Sequence, residues 1–347
     1  MKKINVPLAL GILVFNLNAC GTAPVSPERA LREIELSGLT MGKIQYKALY
    51  IDTQNRNFQK EVDQLLADFN REMSTYIPES TISTFNKLET EQLELGGSQH
   101  FIRNINLAKL IYTKTEGWFN PAVMPLVNYW GFGYTERKPV ERVDSNRVDS
   151  LVKLADFSQI SLEGSVIYKK QKGAQLDFSA IAKGDAVDEL SRFLEQKGIE
   201  NYMVEIGGEV RARGKTDQNR WWYIGVNTPD TNASTSDFEY VIELKNRAMA
   251  TSGNYRNFYT LDDKRYGHTI NPKTGYPEPS DLLSATVIAK DCATADAYAT
   301  AFMAMGRDKA YTIAKNNPDI EALFIFLNDE NEFEKIYTDK LKDVLKE

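Results

Sequence analysis

An aspartate and a threonine in the last quarter of the chain are spaced to bind one cation. Asp296 and Thr300 are four residues apart in a predicted helix, which puts both side chains on one helix face. A carboxylate and a hydroxyl so placed can share a hard cation such as Mg²⁺, with backbone carbonyls completing the oxygen ligands. An ordinary structural interpretation also exists, in which the aspartate favours a helix N-terminus and the threonine bonds back to its own turn. The spacing alone leaves both open.

His268 is the second candidate for chemistry. It is one of two histidines, and it lies in a loop rich in Gly, Pro and Asn, where functional groups concentrate. It is a candidate general base. The sequence contains no His/Cys pattern with metal-ligand spacing, no Walker loop and no Gly-x-Ser-x-Gly elbow. Zinc enzymes, P-loop enzymes and serine hydrolases are therefore disfavoured.

Small residues follow a predicted strand at Ala174–Phe178. Ser179, Ala180 and Gly184 would let a backbone turn approach a ligand closely. The N-terminus of the helix that follows would offer N–H groups to a phosphate. An ordinary strand–turn–helix crossover has the same pattern.

Residues 117–133 are rich in aromatic side chains, Pro and Gly and show no regular periodicity. Leaving so much apolar surface in water is unfavourable. The stretch is therefore either a buried irregular part of the core or the wall of a pocket for a flat aromatic ligand.

Hydrophobic periodicity predicts the elements that position these residues. Helices are predicted at Phe58–Met73, Ser98–Thr115, Val143–Leu154 and Ala293–Met305, and between Gly184 and Gly198. Strands are predicted at Ser165–Lys169, Ala174–Phe178, Met203–Ile206, Trp221–Val226, Tyr240–Leu244, Leu283–Ala289 and Ala322–Leu327. No internal repeat and no linker after the first thirty residues are visible, so the sequence predicts one α+β domain over residues 31–347.

Composition narrows the class of protein. The formal net charge of −6 argues against a nucleic-acid binder. The chain has 347 residues, of which 42% are hydrophobic, enough to build a large core.

The N-terminus resembles an export signal. Lys2 and Lys3 precede the apolar run Val6–Leu17, which is too short to span a bilayer. We expect residues 1–19 to be a lipoprotein signal peptide, Cys20 to be lipidated, and residues 20–30 to form a tether. The protein would then be exported and lipid-anchored to a bacterial cell membrane, facing the periplasm or the cell exterior. The alternative is ordinary signal cleavage with Cys20 as a spare thiol.

Short motifs in a characteristic order cover nearly all of the chain after the signal. They are Thr40-Met41-Gly42, Met73-Ser74-Thr75-Tyr76, Phe119-Asn120-Pro121, Trp130-Gly131-Phe132-Gly133, the run Asp177–Gly184, Glu205-Ile206-Gly207-Gly208-Glu209, Ala250-Thr251-Ser252-Gly253, His268 with Pro272-x-Thr274-Gly275, and Ala295-Asp296-Ala297 with Ala299-Thr300-Ala301. In this order they resemble the FAD:protein FMN transferase family (ApbE-type lipoproteins).

The resemblance implies a Mg²⁺-dependent transfer of FMN from FAD to a Thr or Ser hydroxyl of a partner flavoprotein, with AMP leaving. It also implies two closely packed subdomains with the site between them. By similarity, Asp296, Thr300 and the carbonyl of Ala180 would hold Mg²⁺, and His268 would accept the proton of the acceptor hydroxyl. The positions at which the family contacts FAD are Met41, Tyr76, Trp118, Phe119, Asn120, Asp177, Lys183 and Ile270. The expected partners are FAD and flavin-accepting subunits of membrane redox complexes or other exported flavoproteins.

Three asparagines depart from the commoner pattern of the family. Asn120, Asn254 and Asn271 stand where Asp is more usual. Each keeps a hydrogen-bonding oxygen but lacks the charge, which could alter affinity for FAD or the metal.

Two other functions fit the same motifs. One is a metal-dependent FAD pyrophosphatase that gives FMN to water, and the other is a non-catalytic flavin-binding lipoprotein. Covalent attachment of flavin to an acceptor distinguishes the transferase from both.

Overall fold

The computed structural model describes residues 33–135, 140, 142–227, 238–254, 258–261, 264–277, 281–330 and 332–346. These residues belong to one compact unit. The predicted signal peptide, Cys20 and the tether over residues 20–30 lie outside the described residues. The division into two subdomains also stays a prediction.

The helices are α1 Gln59–Met73, α2 Thr81–Lys87, α3 Gln99–Lys114, α4 Met124–Tyr129, α5 Ser145–Leu154, α6 Ala182–Gln196, α7 Cys292–Met305 and α8 Arg307–Asn316. The strands are β1 Glu33–Thr40, β2 Ile44–Ile51, β3 Gln92–Glu94, β4 Ile160–Glu163, β5 Val166–Lys169, β6 Tyr202–Ile206, β7 Glu209–Arg213, β8 Trp222–Asn227, β9 Phe238–Leu244, β10 Ala248–Gly253, β11 Phe258–Leu261, β12 Lys264–Gly267, β13 Leu282–Ala289, β14 Glu321–Leu327, β15 Phe333–Tyr337 and β16 Leu345–Lys346. This mixture confirms the α+β class.

An antiparallel sheet is the centre of the fold. Its eight described strands are ordered β1-β2-β6-β7-β10-β13-β14-β15. A smaller sheet has the order β16-β9-β8, and two further small sheets pair β3 and β4 with β5 and β11 with β12. Every described strand pair is antiparallel.

The two faces of the central sheet pack into different hydrophobic clusters, as the alternation of side chains along a strand requires. Val204 belongs to the large cluster that includes α1, α6 and α7, whereas the adjacent Met203 packs against a second cluster that includes β8 and β9. A third cluster surrounds Trp130 and includes residues of α5. Members of all three clusters meet at one place in the molecule, the cavity described below.

Helix α7 is apolar on nearly all sides. It packs against β10, β13 and α6, and most of its side chains are buried. A helix with this composition is a core helix rather than an amphipathic surface helix. Asp291 caps it, because its carboxylate accepts a hydrogen bond from the N–H of Thr294 at 2.9 Å.

Most predicted elements are confirmed. Helices α1, α3, α5, α6 and α7 lie where periodicity placed them, and Gly198 follows α6 with a positive φ of 79°. The predicted strand at Ala174–Phe178 is wrong, because this segment is irregular. Its backbone is bound elsewhere: the N–H of Leu176 donates to the side chain of Asn86 at 2.7 Å, and that of Asp177 donates to the carbonyl of Pro121 at 2.7 Å.

Among the residues that the structure describes, no helix has the length and apolar composition needed to cross a bilayer.

Candidate active site

A cavity of about 1230 Å³ lies where the three hydrophobic clusters meet. Its walls come from the 118–132 segment, the irregular segment before α6, the β6–β7 turn, strands β8 and β10, the loop at 268–272 and helix α7. Distant parts of the chain thus converge on one space, which is large enough for a dinucleotide because pockets for drug-sized ligands span ~300–1,000 Å³.

Most of the predicted site residues line this cavity. They are Trp118, Phe119, Asn120, Asp177, Ala180, Lys183, His268, Ile270, Asp296 and Thr300. The structure therefore brings the proposed cation ligands, the candidate base and most of the proposed FAD contacts together.

Two predicted contacts lie elsewhere. Met41 has a positive φ of 46° in the turn between β1 and β2 and packs at the edge of the largest cluster. Tyr76 lies ahead of α2, and its side chain is 70% exposed. Neither is among the residues that line the cavity. Their assignment to FAD stays a prediction.

Asp296 joins α7 to the start of α6. Its Oδ2 accepts a hydrogen bond of 3.1 Å from the backbone N–H of Gly184, and the residue is 2% exposed. Burial raises the pKa of the Asp296 carboxyl, while the charge of Lys183 acts in the opposite direction. The Gly184 bond fixes the carboxylate so that Oδ1 faces Lys183.

Gly184 is required by the close approach of the two helices. A Cβ added to Gly184 would lie 2.4 Å from the carbonyl oxygen of Cys292 and 2.7 Å from the Cα of Ala293. Both atoms belong to the backbone, so neither can move aside without shifting α7. Glycine therefore sets the spacing at which Asp296 reaches α6.

We expect Gly184→Ala to destabilise the protein by about 1–3 kcal/mol, the usual cost of overpacking a core. The free energy of unfolding from urea titration measures this. Gly97→Ala is the matched control, because a Cβ at Gly97 meets no atom within 4 Å, and we expect it to change stability by less than about 0.5 kcal/mol. Equal stability of the two variants would contradict the tight contact.

Lys183 lies between two buried carboxylates. Its Nζ forms an ion pair with Oε1 of Glu209 and lies 4.0 Å from Oδ1 of Asp296. Burial alone would lower the pKa of Lys183, but the charges of Asp296 and Glu209 outweigh it and raise that pKa. Lys183 is therefore a cation, and its side chain remains 27% exposed.

Glu209 was not predicted as a site residue. It follows the Gly207–Gly208 turn at the start of β7 and is 2% exposed. Burial raises its pKa, and Lys183 opposes that effect. The signal that could have identified it is the carboxylate placed directly after two glycines.

The hydroxyl of Thr300 and the turn at Ala180 also line the cavity. Oγ1 of Thr300 lies 3.2 Å from Oγ of Ser252 on β10, and these two hydroxyls share a hydrogen bond. Because Ser252 can accept the Thr300 proton, the Thr300 oxygen keeps a lone pair for a cation.

This donor set fits a hard divalent cation. It comprises the buried carboxylate of Asp296 and the hydroxyl of Thr300, both oxygens of the kind that Mg²⁺ prefers, and Ala180 lines the same cavity. Among the described residues no group of three or more His, Cys, Asp and Glu side chains is placed to hold a metal ion. The candidate cation site has a single side-chain carboxylate, that of Asp296, and so is not a site of that kind.

Asp188 positions the helix that carries Asp296 and Thr300. Its two carboxylate oxygens each accept a 3.0 Å hydrogen bond, from the N–H groups of Cys292 and Ala293 at the start of α7. Arg211 donates to the same carboxylate at 2.8 Å. No local sequence pattern indicates this role, because α6, β7 and α7 are far apart along the chain.

The 118–132 segment is both core and cavity wall. Trp130 is fully buried, and its Nε1 donates to the carbonyl of Gly275 at 2.7 Å, yet part of it lines the cavity. Phe132 lies edge-on to His268, with ring centroids 6.4 Å apart. The stretch is therefore part core and part cavity wall, and its contact with a flat aromatic ligand stays a prediction.

Each of the three asparagines accepts a hydrogen bond on its side-chain oxygen, and those of Asn120 and Asn271 hold backbone. Nδ2 of Asn120 donates to the carbonyl of Ala155 at 2.7 Å, and its Oδ1 accepts from the N–H of Ala122. Oδ1 of Asn254 accepts from the hydroxyl of Thr269 at 2.7 Å. Oδ1 of Asn271 accepts from the N–H of Lys273 at 2.8 Å. At position 120 the amide nitrogen makes a hydrogen bond that an aspartate could not donate.

Comparison with known proteins agrees with the family resemblance of the sequence motifs. A sequence model described as the ApbE family matches residues 40–324. The chain is 34% identical over 342 residues to a FAD:protein FMN transferase of Haemophilus influenzae, covering 96% of this chain and 95% of that protein. It is 36% identical over 307 residues to a protein of the same name from Vibrio cholerae, covering 87% of this chain and 90% of that protein.

Solved structures agree with the sequence matches. The flavin transferase ApbE from Vibrio cholerae superposes with a TM-score of 0.82 at 34% identity, covering 90% of this chain and 99% of that one. The apo form of the Pseudomonas stutzeri flavinyl transferase ApbE superposes with a TM-score of 0.80 at 28% identity, covering 90% and 97%. By sequence and by fold, this chain belongs to the ApbE family.

Proposed function

We propose that this protein transfers FMN from FAD to a Thr or Ser hydroxyl of an acceptor protein in a Mg²⁺-dependent reaction that releases AMP. The observation that carries the proposal is the convergence in one cavity of Asp296, Thr300 and Ala180 with His268 and an aromatic wall. The names of the relatives support FAD as the substrate and a protein as the acceptor.

The cavity offers FAD two kinds of surface. Its aromatic and apolar wall, which includes Trp118, Phe119 and Ile270, suits the flat isoalloxazine ring. Lys183 supplies a positive charge that would pair with the pyrophosphate. With its ring on the aromatic wall and its pyrophosphate at Lys183, FAD would have its phosphates near Asp296 and Thr300.

Asp296, Thr300 and the carbonyl of Ala180 would hold the Mg²⁺. A bound Mg²⁺ stabilises the charge that develops on phosphate oxygens during phosphoryl transfer. The protein's contribution is to fix these ligands, through the Gly184 bond to Asp296 and the Asp188 bonds to the start of α7.

The transfer itself exchanges the phosphoanhydride link within FAD for a phosphoester link to the acceptor. The acceptor hydroxyl oxygen forms a bond to the FMN phosphorus, and the bond from that phosphorus to the bridging oxygen breaks, so AMP leaves. His268 accepts the proton of the acceptor hydroxyl as a general base. The acceptor supplies the nucleophile, so the mechanism requires no covalent enzyme intermediate, and positioning of the two reactants supplies much of the rate.

The protein's place in the cell forms part of the proposal. The apolar run ahead of Cys20 supports export and lipid anchoring at a bacterial membrane, facing the periplasm or the cell exterior. Acceptors would then be flavoprotein subunits of membrane redox complexes or other exported flavoproteins.

The test mixes the purified protein with FAD, Mg²⁺ and an acceptor flavoprotein. We expect a fluorescent acceptor band on a denaturing gel and release of one AMP per flavin attached. Free FMN without a labelled acceptor would indicate a pyrophosphatase instead. Bound FAD without AMP would indicate a flavin-binding protein that does not catalyse the reaction.

A further inference from the structure

We propose that Glu209 holds the Lys183 ammonium away from Asp296 and so keeps the Asp296 carboxylate available to a divalent cation. This inference rests on the metal site in the proposed function. Glu209 would act as a positioning residue, because it acts on the cation through Lys183.

Lys183 lies closer to the carboxylate of Glu209 than to that of Asp296. Nζ of Lys183 is in direct contact with Oε1 of Glu209, but 4.0 Å separates it from Oδ1 of Asp296. Since Oδ2 of Asp296 is already bonded to the N–H of Gly184, Oδ1 is the oxygen left for a cation. Glu209 therefore retains the ammonium on the side away from the cation ligand.

The fold keeps Glu209 in this position. In the pairing of β6 with β7 it is directly opposite Ile206, across the Gly207–Gly208 turn. A Cβ at Gly207 would lie 2.7 Å from a side-chain carbon of Ile44 and 3.8 Å from Oε2 of Glu209, so the turn covers the carboxylate closely. Glu209 is also 2% exposed, so protein atoms surround its carboxylate.

The second oxygen of Glu209 argues for a role beyond stability. Oε2 is buried, and no hydrogen-bond partner for it is present among the described residues. A buried carboxylate with one unpaired oxygen is unfavourable, and such groups are rare unless function retains them. Stability alone would be served as well by an apolar pair in place of Lys183 and Glu209.

The charges of the three side chains explain why Lys183 needs Glu209 as well as Asp296. With Glu209 and Asp296 both ionised and Lys183 protonated, the three side chains carry one net negative charge. That charge attracts a divalent cation. Without the charge of Glu209, the ammonium would pair with Asp296 alone and compete with the cation for Oδ1. We therefore expect removal of the Glu209 charge to weaken Mg²⁺ binding even though Glu209 does not contact the ion.

The experiment is calorimetric titration of the purified protein with Mg²⁺ alone, without FAD or acceptor. We expect Glu209→Gln to raise the Mg²⁺ dissociation constant about tenfold or more, as loss of an outer partner does at other metal sites. The double variant Lys183→Met with Glu209→Gln removes the competing ammonium as well. We expect it to recover Mg²⁺ binding to within about threefold of the unaltered protein, which a purely structural role would not do.

Glu321→Gln is the matched control. Glu321 is a buried glutamate that forms an ion pair with Arg247 at 3.2 Å, and it does not line the cavity. We expect its Mg²⁺ affinity to match that of the unaltered protein. If Glu209→Gln is too unstable to titrate, Glu209→Asp keeps the charge but withdraws it by one methylene, and weaker Mg²⁺ binding is again expected.

Three results would overturn the proposal. They are an unchanged Mg²⁺ affinity in Glu209→Gln or its Asp substitute, a double variant that binds as weakly as Glu209→Gln, and an equal loss in Glu321→Gln. An unaltered protein that binds no Mg²⁺ would overturn the metal part of the proposed function as well. If the variants show the expected Mg²⁺ affinities but the unaltered protein fails to transfer FMN, the proposed function alone would be overturned.

Discussion

Asp296→Asn is expected to lower the rate of FMN transfer at least about a hundredfold, since a metal ion contributes several kcal/mol to such a transition state and each 1.36 kcal/mol is tenfold in rate. The substitution keeps an oxygen that can accept the hydrogen bond from Gly184 and removes the charge that would bind Mg²⁺. The rate of flavin attachment to an acceptor, measured across a Mg²⁺ titration, tests this. The remaining activity should require much more Mg²⁺ than the unaltered protein does.

Asp291→Asn is the control for Asp296→Asn, because it changes an aspartate at the start of the same helix. Asp291 caps α7 through the N–H of Thr294 and does not line the cavity. Asparagine caps helices about as well as aspartate, so we expect transfer at close to the normal rate. Unchanged transfer in Asp296→Asn at low Mg²⁺ would refute the cation site. Addition of excess EDTA to the unaltered protein should abolish transfer in the same assay.

His268→Ala is expected to slow FMN transfer about a hundredfold, at the lower end of what a general base contributes. The lower end applies because positioning and the metal would supply much of the rate. FAD affinity should change little, since the proposed role of His268 is toward the acceptor hydroxyl. Single-turnover transfer with saturating FAD measures the step, and added imidazole should restore part of the rate.

His100 provides the comparison for His268. It lies against Phe69 with ring centroids 4.9 Å apart, and its Nδ1 accepts a 2.8 Å hydrogen bond from Arg103, away from the cavity. His100→Ala is expected to retain transfer within about threefold, provided that circular dichroism shows a folded protein. A full rate in His268→Ala would assign proton removal to another group or to solvent.

Local patterns in the sequence predicted those features that depend on neighbouring residues. The four-residue spacing of Asp296 and Thr300 placed both on one side of α7, and both line the cavity. The apolar stripe from Phe58 to Met73 predicted α1. In each case the helical period alone decides which side chains share a face.

Features that depend on distant residues could not be predicted in this way. Residues Ala174–Phe178 have a strand-like pattern, yet the N–H of Leu176 is bound by the side chain of Asn86, which is 90 residues away. The contact of Lys183 with Glu209 joins α6 to β7 and depends on how the helix packs on the sheet. No window of local sequence contains that information.

The burial of α7 on nearly all sides has a consequence for protein engineering. Attempts to alter the proposed cation site by replacing the small apolar residues around Asp296 would disturb the packing against β10, β13 and α6. Thr300 and Ser252 are only partly buried and face the cavity from two different elements. Selection for altered ion specificity should therefore be directed at this pair of hydroxyls, where the scaffold can tolerate variation.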